Sequence, residues 1–343
     1  MFKAKSKLIY VMMVAVLALI LGACSGGDGN DTDDSDAKSD ATSESKGSAD
    51  VQSISFVTGG PGGTFYPLGV GMADVINDAG IANVTVETSD ASIENTRLLG
   101  AEEAELGLLE TGIAYFASEG IEMFDEDQIT NVRGVMTLYP NLIQMVVMAD
   151  SGIETYADLK GKKVVVGQPG SSSMLNLDLV LEQYGLEFDD ITPQYSDFSQ
   201  GIDMLKDGQV DATLVDIGIP APAIIDIASQ HDIHILSIDE DKIENIASNY
   251  PYFTNKIVIP AGTYNNVDED VITAGVPVML GTHEDVSEDL VYEMTKVLFE
   301  KKEDVVKVHP AGESIDPDSA TEGLPIPLHP GAEKYLKEIG KLD

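Results

Sequence analysis

Tryptophan is absent, aromatic residues make up 6% of the chain, and cysteine occurs once, at Cys24. A single cysteine excludes any intrachain disulfide. Positive charge is scarce too: 20 Lys plus Arg stand against 59 Asp plus Glu, a formal net charge of −39, and Arg97 and Arg133 are the only arginines. That balance excludes nucleic acid as a partner, because phosphate binding draws its affinity from clustered Lys and Arg that displace counterions. Two arginines also leave few candidates for a bidentate clamp on a carboxylate. An acidic surface of this size suits salty surroundings, where screening over a few ångströms mutes self-repulsion. Long apolar runs are missing as well: Leu8 to Ile20 is shorter than the roughly 20 residues that a membrane-spanning helix needs. What remains, 343 residues with 43% hydrophobic content, suffices for a large core and about two domains.

Residues 1–23 read as a signal peptide. Lys3, Lys5 and Lys7 form its positive start and Leu8 to Ile20 its apolar stretch. Leu21-Gly22-Ala23-Cys24 then resembles a bacterial lipobox, which implies that Cys24 becomes a lipidated N-terminus. Residues 24–50 follow as anchor and tether. Between Ser25 and Asp50 there are eight acidic and two basic residues and almost no apolar ones, a composition that cannot offset the entropy of ordering. Asp31, Asp33 and Asp34 lack the glycine turn and distal Glu of a calcium loop, so they read as a solvated charge run.

From Val51 onward, short apolar segments alternate with segments of helical period. Expected strands are Ile54 to Val57, Val84 to Thr88, Leu106 to Leu109, Val132 to Leu138, Ile143 to Met148, Lys163 to Gly167, Ile191 to Tyr195, Ala212 to Val215, Ile233 to Ile238 and Lys256 to Pro260. Such alternation predicts an α/β fold with parallel sheets covered on both faces. The strands near Met145–Met148 and Lys256–Ile259 each lead from one series into another. Two α/β lobes are therefore expected, residues 51–147 plus 260–343 and residues 148–259, joined by two hinge strands around a cleft.

Two loops stand out. Thr58-Gly59-Gly60-Pro61-Gly62-Gly63-Thr64 lies between a strand and a helix, and Gly167-Gln168-Pro169-Gly170-Ser171-Ser172-Ser173 lies between another such pair. Glycine lets backbone N–H groups approach a bound group closely, and a helix start adds partial positive charge at the same point. The expected partner is an anionic or carbonyl oxygen. No Gly-Lys-Ser/Thr ends the first loop, which excludes a Walker loop, and Phe65 stands where a dinucleotide fingerprint has its third glycine. A plain tight turn competes for the first loop. Simple capping competes for the second, although three serines exceed what one cap needs.

With these stand "ETSDASIENTRLL", "ELGLLETGIAYFA", "DGQVDATLVDIGIPAPAI" and "GLPIPLHPGAEKY". From Ile54 to the C-terminus this ordered set resembles the TAXI family of solute receptors, which serve TRAP-type secondary transporters. The resemblance implies a periplasmic-binding-protein fold of type II and no catalysis. It also implies a membrane transporter subunit as partner, and ligands such as glutamate, glutamine and related dicarboxylates. The family's Gly-Gly-Thr-Tyr-Tyr loop matches Gly62, Gly63, Thr64, Phe65 and Tyr66, and its Gly-Ser-x-x-Asn pattern matches Ser92 and Asn95 with Ala91 in the glycine's place. Where relatives carry Gln-Ser-Asp, this chain has Leu109-Glu110-Thr111.

The candidate ligand-binding residues are Gly60, Gly63, Thr64, Tyr66, Ser92, Asn95, Glu110, Tyr139, Gln168, Ser171, Ser172 and Asp216. Backbone amides, hydroxyls and side-chain amides would hold a carboxylate, with Tyr139 as an aromatic wall. Glu110 is either an ammonium acceptor that repels a second acid or a solvated edge residue. Asp216 is either an amine acceptor or a turn cap. No catalytic residue, metal or cofactor is called for: His231 and His234 are too bare for zinc, and His329-Pro330-Gly331 reads as a helix lead-in. A ligand-sensing receptor ectodomain and an enzyme on the same fold are the competing classes.

Overall fold

The computed structural model describes residues 51–250 and 252–342; the leader, Cys24 and the acidic tether lie outside them. Among the described residues, eleven strands and ten α-helices largely alternate until the last three strands, which are followed by three helices. They run β1 Ser53–Val57, α1 Phe65–Asp78, β2 Asn83–Glu87, α2 Ser92–Gly100, β3 Leu106–Glu110, α3 Thr111–Glu119 and β4 Val132–Met148. Next come β5 Lys163–Val165, α4 Ser173–Gln183, β6 Thr192–Gln194, α5 Phe198–Lys206, β7 Ala212–Ile217, α6 Pro222–Ala228, β8 Ile233–Leu236 and α7 Glu240–Asn249. Last are β9 Ile257–Ile259, β10 Val271–Thr273, β11 Gly275–His283, α8 Glu288–Glu300, α9 Lys302–Val308 and α10 Pro330–Glu338.

Nine strands form one sheet in the order β2-β1-β3-β11-β4-β7-β5-β6, with β8 also on β4. The α/β reading holds, with helices on both faces, but the sheet is mixed. β1, β2 and β3 pair in parallel, as do β5, β6 and β7, whereas β4 and β11 run antiparallel to their neighbours.

The two expected strands Val132 to Leu138 and Ile143 to Met148 are one strand of 17 residues, β4. Its first half, to Leu142, pairs with β11, and its second half pairs with β7 and β8. The sheet therefore has two halves that share β4. Apolar residues alternate along it. Ile143, Met145 and Val147 pack on one face with Val164, Leu177 and Leu214, and Leu142 and Val146 pack on the other with Val165, Ile202 and Val215.

The return crossing differs from the sequence reading. Lys256 to Pro260 is not a hinge strand: β9 pairs only with β10, in a separate ladder, and Tyr264, Val267 and Val271 pack in the core of the second half. The chain comes back at Thr273–Gly275. There Ile143 N–H donates to Ala274 O at 3.0 Å and Thr273 Oγ1 donates to Ile143 O at 2.6 Å, so the outgoing and returning segments lie side by side. β11 escaped the sequence reading because Pro277 and two glycines interrupt it. Pro277 sits opposite Pro140 at a register shift, so the two missing N–H donors of the ladder fall at one point.

Candidate ligand cleft

The glycine loop leaves β1 and turns into α1. Gly63 N–H donates to Gly60 O at 3.1 Å, and Thr64 takes the N-cap position, fully buried, without capping its helix. Its hydroxyl makes no hydrogen bond among the described residues. The serine loop leaves β5 through Gly167, at φ +96°, where a Cβ would come 2.9 Å from Ser173 Cβ. Both the N–H and the hydroxyl of Ser171 donate to Gln168 O, at 3.0 and 2.8 Å. Ser172 is the N-cap of α4 and its side chain does not cap the helix either. Two helix starts thus have their cap hydroxyls free of the capping role.

The two loops meet. A cavity of about 40 Å³ lies between them, lined by Gly60, Gly63 and Thr64 from the first loop and by Gln168 and Ser171–Ser173 from the second. Ser92, Asn141, Asp197, Phe198 and Asp216 also line it. Around it the halves of the sheet touch. Gly62 packs so tightly on Ser199 that a Cβ would collide with its hydroxyl, and a Cβ at Gly170 would come 2.5 Å from Asp90 Cβ. Gln168 Nε2 donates to Asp90 Oδ1 at 2.8 Å, and Gly170 O accepts from Ile93 N–H at 3.1 Å and Glu94 N–H at 3.4 Å. The start of α2 is therefore latched to the serine loop. Ala91, where the resembling family has glycine, adopts φ +76° at this latch, a conformation that costs an L-residue about 1–2 kcal/mol.

Beneath the cavity lie two buried carboxylates. Asp216 is next to last in β7 and lines the cavity, while Glu110 ends β3 and stands behind it. Asn176 Nδ2 donates to both, to Glu110 Oε2 at 3.0 Å and to Asp216 Oδ2 at 2.8 Å, and Asn141 Nδ2 donates to Glu110 Oε1 at 2.9 Å. Burial, and then the neighbouring Asp216 carboxylate, pushes Glu110 up to about 8, against the pull of the Asn141 and Asn176 hydrogen bonds. Burial pushes Asp216 up to about 6. Neither arginine comes near: Arg97 donates to Met123 O and lies over Phe124, and Arg133 pairs with Glu284.

The cavity wall thus gathers Gly60, Gly63, Thr64, Ser92, Gln168, Ser171, Ser172 and Asp216 from the candidate residues. It does not include Tyr66, Asn95, Glu110 or Tyr139. Asn95 is fully buried with its amide spent on the scaffold: Nδ2 donates to Thr58 O and Leu108 O, both at 2.6 Å, and Oδ1 accepts from Ser89 Oγ. It ties β1 to β3. Tyr139 packs its ring against Gly218, where a Cβ would come 2.7 Å from the ring, so it backs the loop after β7. Glu110 is neither solvated nor at the wall, and Asp216 caps nothing. His329 is the N-cap of α10, its Nδ1 accepting from Gly331 N–H at 3.2 Å.

Asn141 and Asn176 were missed. Each is a lone amide on an otherwise apolar face, Asn141 within β4 and Asn176 beside Leu177 and Val180 on α4. A buried polar group in such a place needs partners, and that was the available signal.

A family model described as NMT1-like matches residues 56–340. The chain belongs to the NMT1-like family. Among solved structures, this NMT1-like chain is similar to the periplasmic aliphatic sulphonate binding protein SsuA from Escherichia coli, with 18% identity over 83% of each chain and a TM-score of 0.49. It is also similar to the alkanesulfonate-binding protein SsuA from Xanthomonas axonopodis pv. citri bound to MOPS, at 16% identity over 84% of this chain and 90% of that one, TM-score 0.45. A third is the GluR0 ligand-binding core in complex with L-glutamate, at 12% identity over 78% and 98%, TM-score 0.45. At those values none of their ligands transfers to the NMT1-like chain.

Proposed function

We propose that this protein is the extracytoplasmic solute receptor of a TRAP-type secondary transporter, of the TAXI kind, held at the membrane through Cys24. The observation that carries the reading is the cavity closed between two glycine- and hydroxyl-lined helix starts, one from each half of a sheet whose halves share β4. Small-solute sites are concave, mostly preformed and lined by a few convergent polar groups. The ordered series of motifs from Ile54 onward supports the TAXI assignment and, with it, a membrane subunit as partner.

The two lobes are residues 51–141 with 275–342, and residues 142–274. This division is supported by the packing of Ile259 and Val271, from the ladder of β9 and β10, with the core of the second half. The solute docks against one lobe, and the other closes by bending at Asn141–Ile143 and Thr273–Gly275. The contacts of Gly62 with Ser199 and of Gln168 with Asp90 define the closed form that the transporter subunit receives. No step of this cycle calls for catalysis.

A thermal-shift screen of the full chain with the common L-amino acids, simple amines and C4–C6 dicarboxylates tests the reading. At least one compound is expected to raise the melting temperature, with the effect abolished by Gly62→Val, which blocks closure. No shift from any of them refutes it. Cys24→Ser should release the protein from membranes, and continued anchoring overturns the lipoprotein assignment.

A further inference from the structure

Three buried oxygens at the cavity wall make no hydrogen bond among the described residues: Asp216 Oδ1, Asn141 Oδ1 and Thr64 Oγ1. Asp216 is 2% exposed, Asn141 4%, and Thr64 fully buried. The first two are acceptors only, and the third can accept. Buried polar atoms without partners are rare in folded proteins, so three in one small cavity ask for a common partner. Thr64 can donate to the Tyr139 hydroxyl beside it and still accept from the cavity, so a partner shared by all three oxygens is a donor.

The charges agree. No lysine, arginine or histidine lines the cavity, while Asp216 and Asp197 do, and a third acid, Glu110, lies immediately behind. Outside lies a wider recess of about 530 Å³ whose charged side chains are Asp90, Glu94 and Asp197, again without a basic one. A recess lined by one sign of charge concentrates ligands of the other. A dicarboxylate would have to pass three acids and settle on a fourth. The Asn141 and Asn176 amides are already turned towards the carboxylates, so they do not offset a further negative charge there.

Resting on the receptor reading above, we infer that the solute carries an ammonium group, which sits on Asp216 with Asn141 and Thr64 as its other two acceptors. An ammonium has three donors and no acceptor, which matches the three free oxygens. The amides at the starts of α1 and α4 are left for the solute's other, oxygen-bearing end, since the Ser172 and Ser173 hydroxyls already face Glu110 and Asp216. The substrate class is therefore an amino acid or a hydroxylated amine. A dicarboxylate without an amine is excluded.

The test is calorimetry on the full chain with matched pairs: each common L-amino acid beside the acid of the same skeleton lacking the amine, such as L-glutamate beside glutarate, together with ethanolamine and putrescine. At least one amine should bind, about a hundredfold or more tighter than its amine-free counterpart, as expected for losing a charge-assisted contact. Asp216→Asn should weaken the amine at least tenfold and leave the residual binding of the amine-free acid unchanged or stronger. Thr64→Val, which keeps shape and removes one acceptor, provides the same reading if Asp216→Asn does not fold. An amine-free acid that binds as tightly as its amine partner, or an amine affinity untouched by both variants, overturns the ammonium assignment while the receptor reading stands. Absence of binding by every compound overturns both.

Discussion

Glu110 and Asp216, near the ends of two strands in opposite halves of the sheet, are held together by a single amide, with Asn176 Nδ2 3.0 Å from one carboxylate and 2.8 Å from the other. Among the described residues no lysine, arginine or histidine lines the cavity beside them. Such a pair is tolerable in a buried place only if it holds protons or if a positive ligand arrives.

Stability should follow from that pairing. In the folded chain Glu110 is raised to about 8 and Asp216 to about 6, so folding retains protons that the unfolded chain releases near pH 4. A raised carboxyl contributes stability that is full below its unfolded value and lost as pH rises through its folded one, here between about pH 4 and 8. Melting temperatures of the ligand-free chain should fall more steeply from pH 5 to pH 9 than those of Glu110→Gln. Equal slopes would contradict the coupling.

Asn176→Leu removes the shared donor at nearly constant volume. Two carboxylates then lose a partner each, and urea unfolding at pH 8 should show a loss of about 2–4 kcal/mol. Adding Glu110→Gln to the same chain should recover part of that loss, since the remaining repulsion disappears. A loss that is merely additive would place the two residues outside a common network.

Thr64 carries a buried hydroxyl whose polar neighbour is the Tyr139 hydroxyl, outside ideal hydrogen-bond geometry, so Thr64→Val should change the stability of the ligand-free protein by no more than about 1 kcal/mol. Solute affinity should fall about tenfold in the same variant. A destabilised Thr64→Val that binds normally would assign the hydroxyl to the scaffold.

Ala91 holds φ +76° where the latch between α2 and the serine loop forms. Ala91→Gly relieves the crowding of Cβ and should stabilise the chain by about 1 kcal/mol, read as a higher urea midpoint at unchanged slope. No gain, or a loss, would mean that the conformation carries no strain.

Much of this architecture was legible in the chain. Glycines and serines at helix starts mark both loops because only backbone and small side chains fit where two segments approach each other, and Gly62 against Ser199 shows that requirement met. Illegible parts share a cause: they depend on pairings far apart in sequence. β11 reads as broken at Pro277 until Pro140 is seen opposite it. Asn95 reads as a ligand residue until Thr58 and Leu108 are found to consume its amide. Glu110 and Asp216 each suggest an amine acceptor, but nothing along the chain says that Asn176 joins them.

Closure of the cleft is most directly tested by cross-linking its lips. A Cβ at Gly62 would lie 3.3 Å from Ser199 Cβ, close to the separation of about 3.5–4.5 Å that a disulfide needs. Gly62→Cys with Ser199→Cys, in a Cys24→Ser background so that no other thiol remains, should oxidise to an intramolecular disulfide. The oxidised protein should give no binding heat with any of the amino acids or amines, and reduction should restore it. Thiols that stay free under oxidant, or a cross-linked protein that binds as the reduced one does, would contradict a solute enclosed between these two loops.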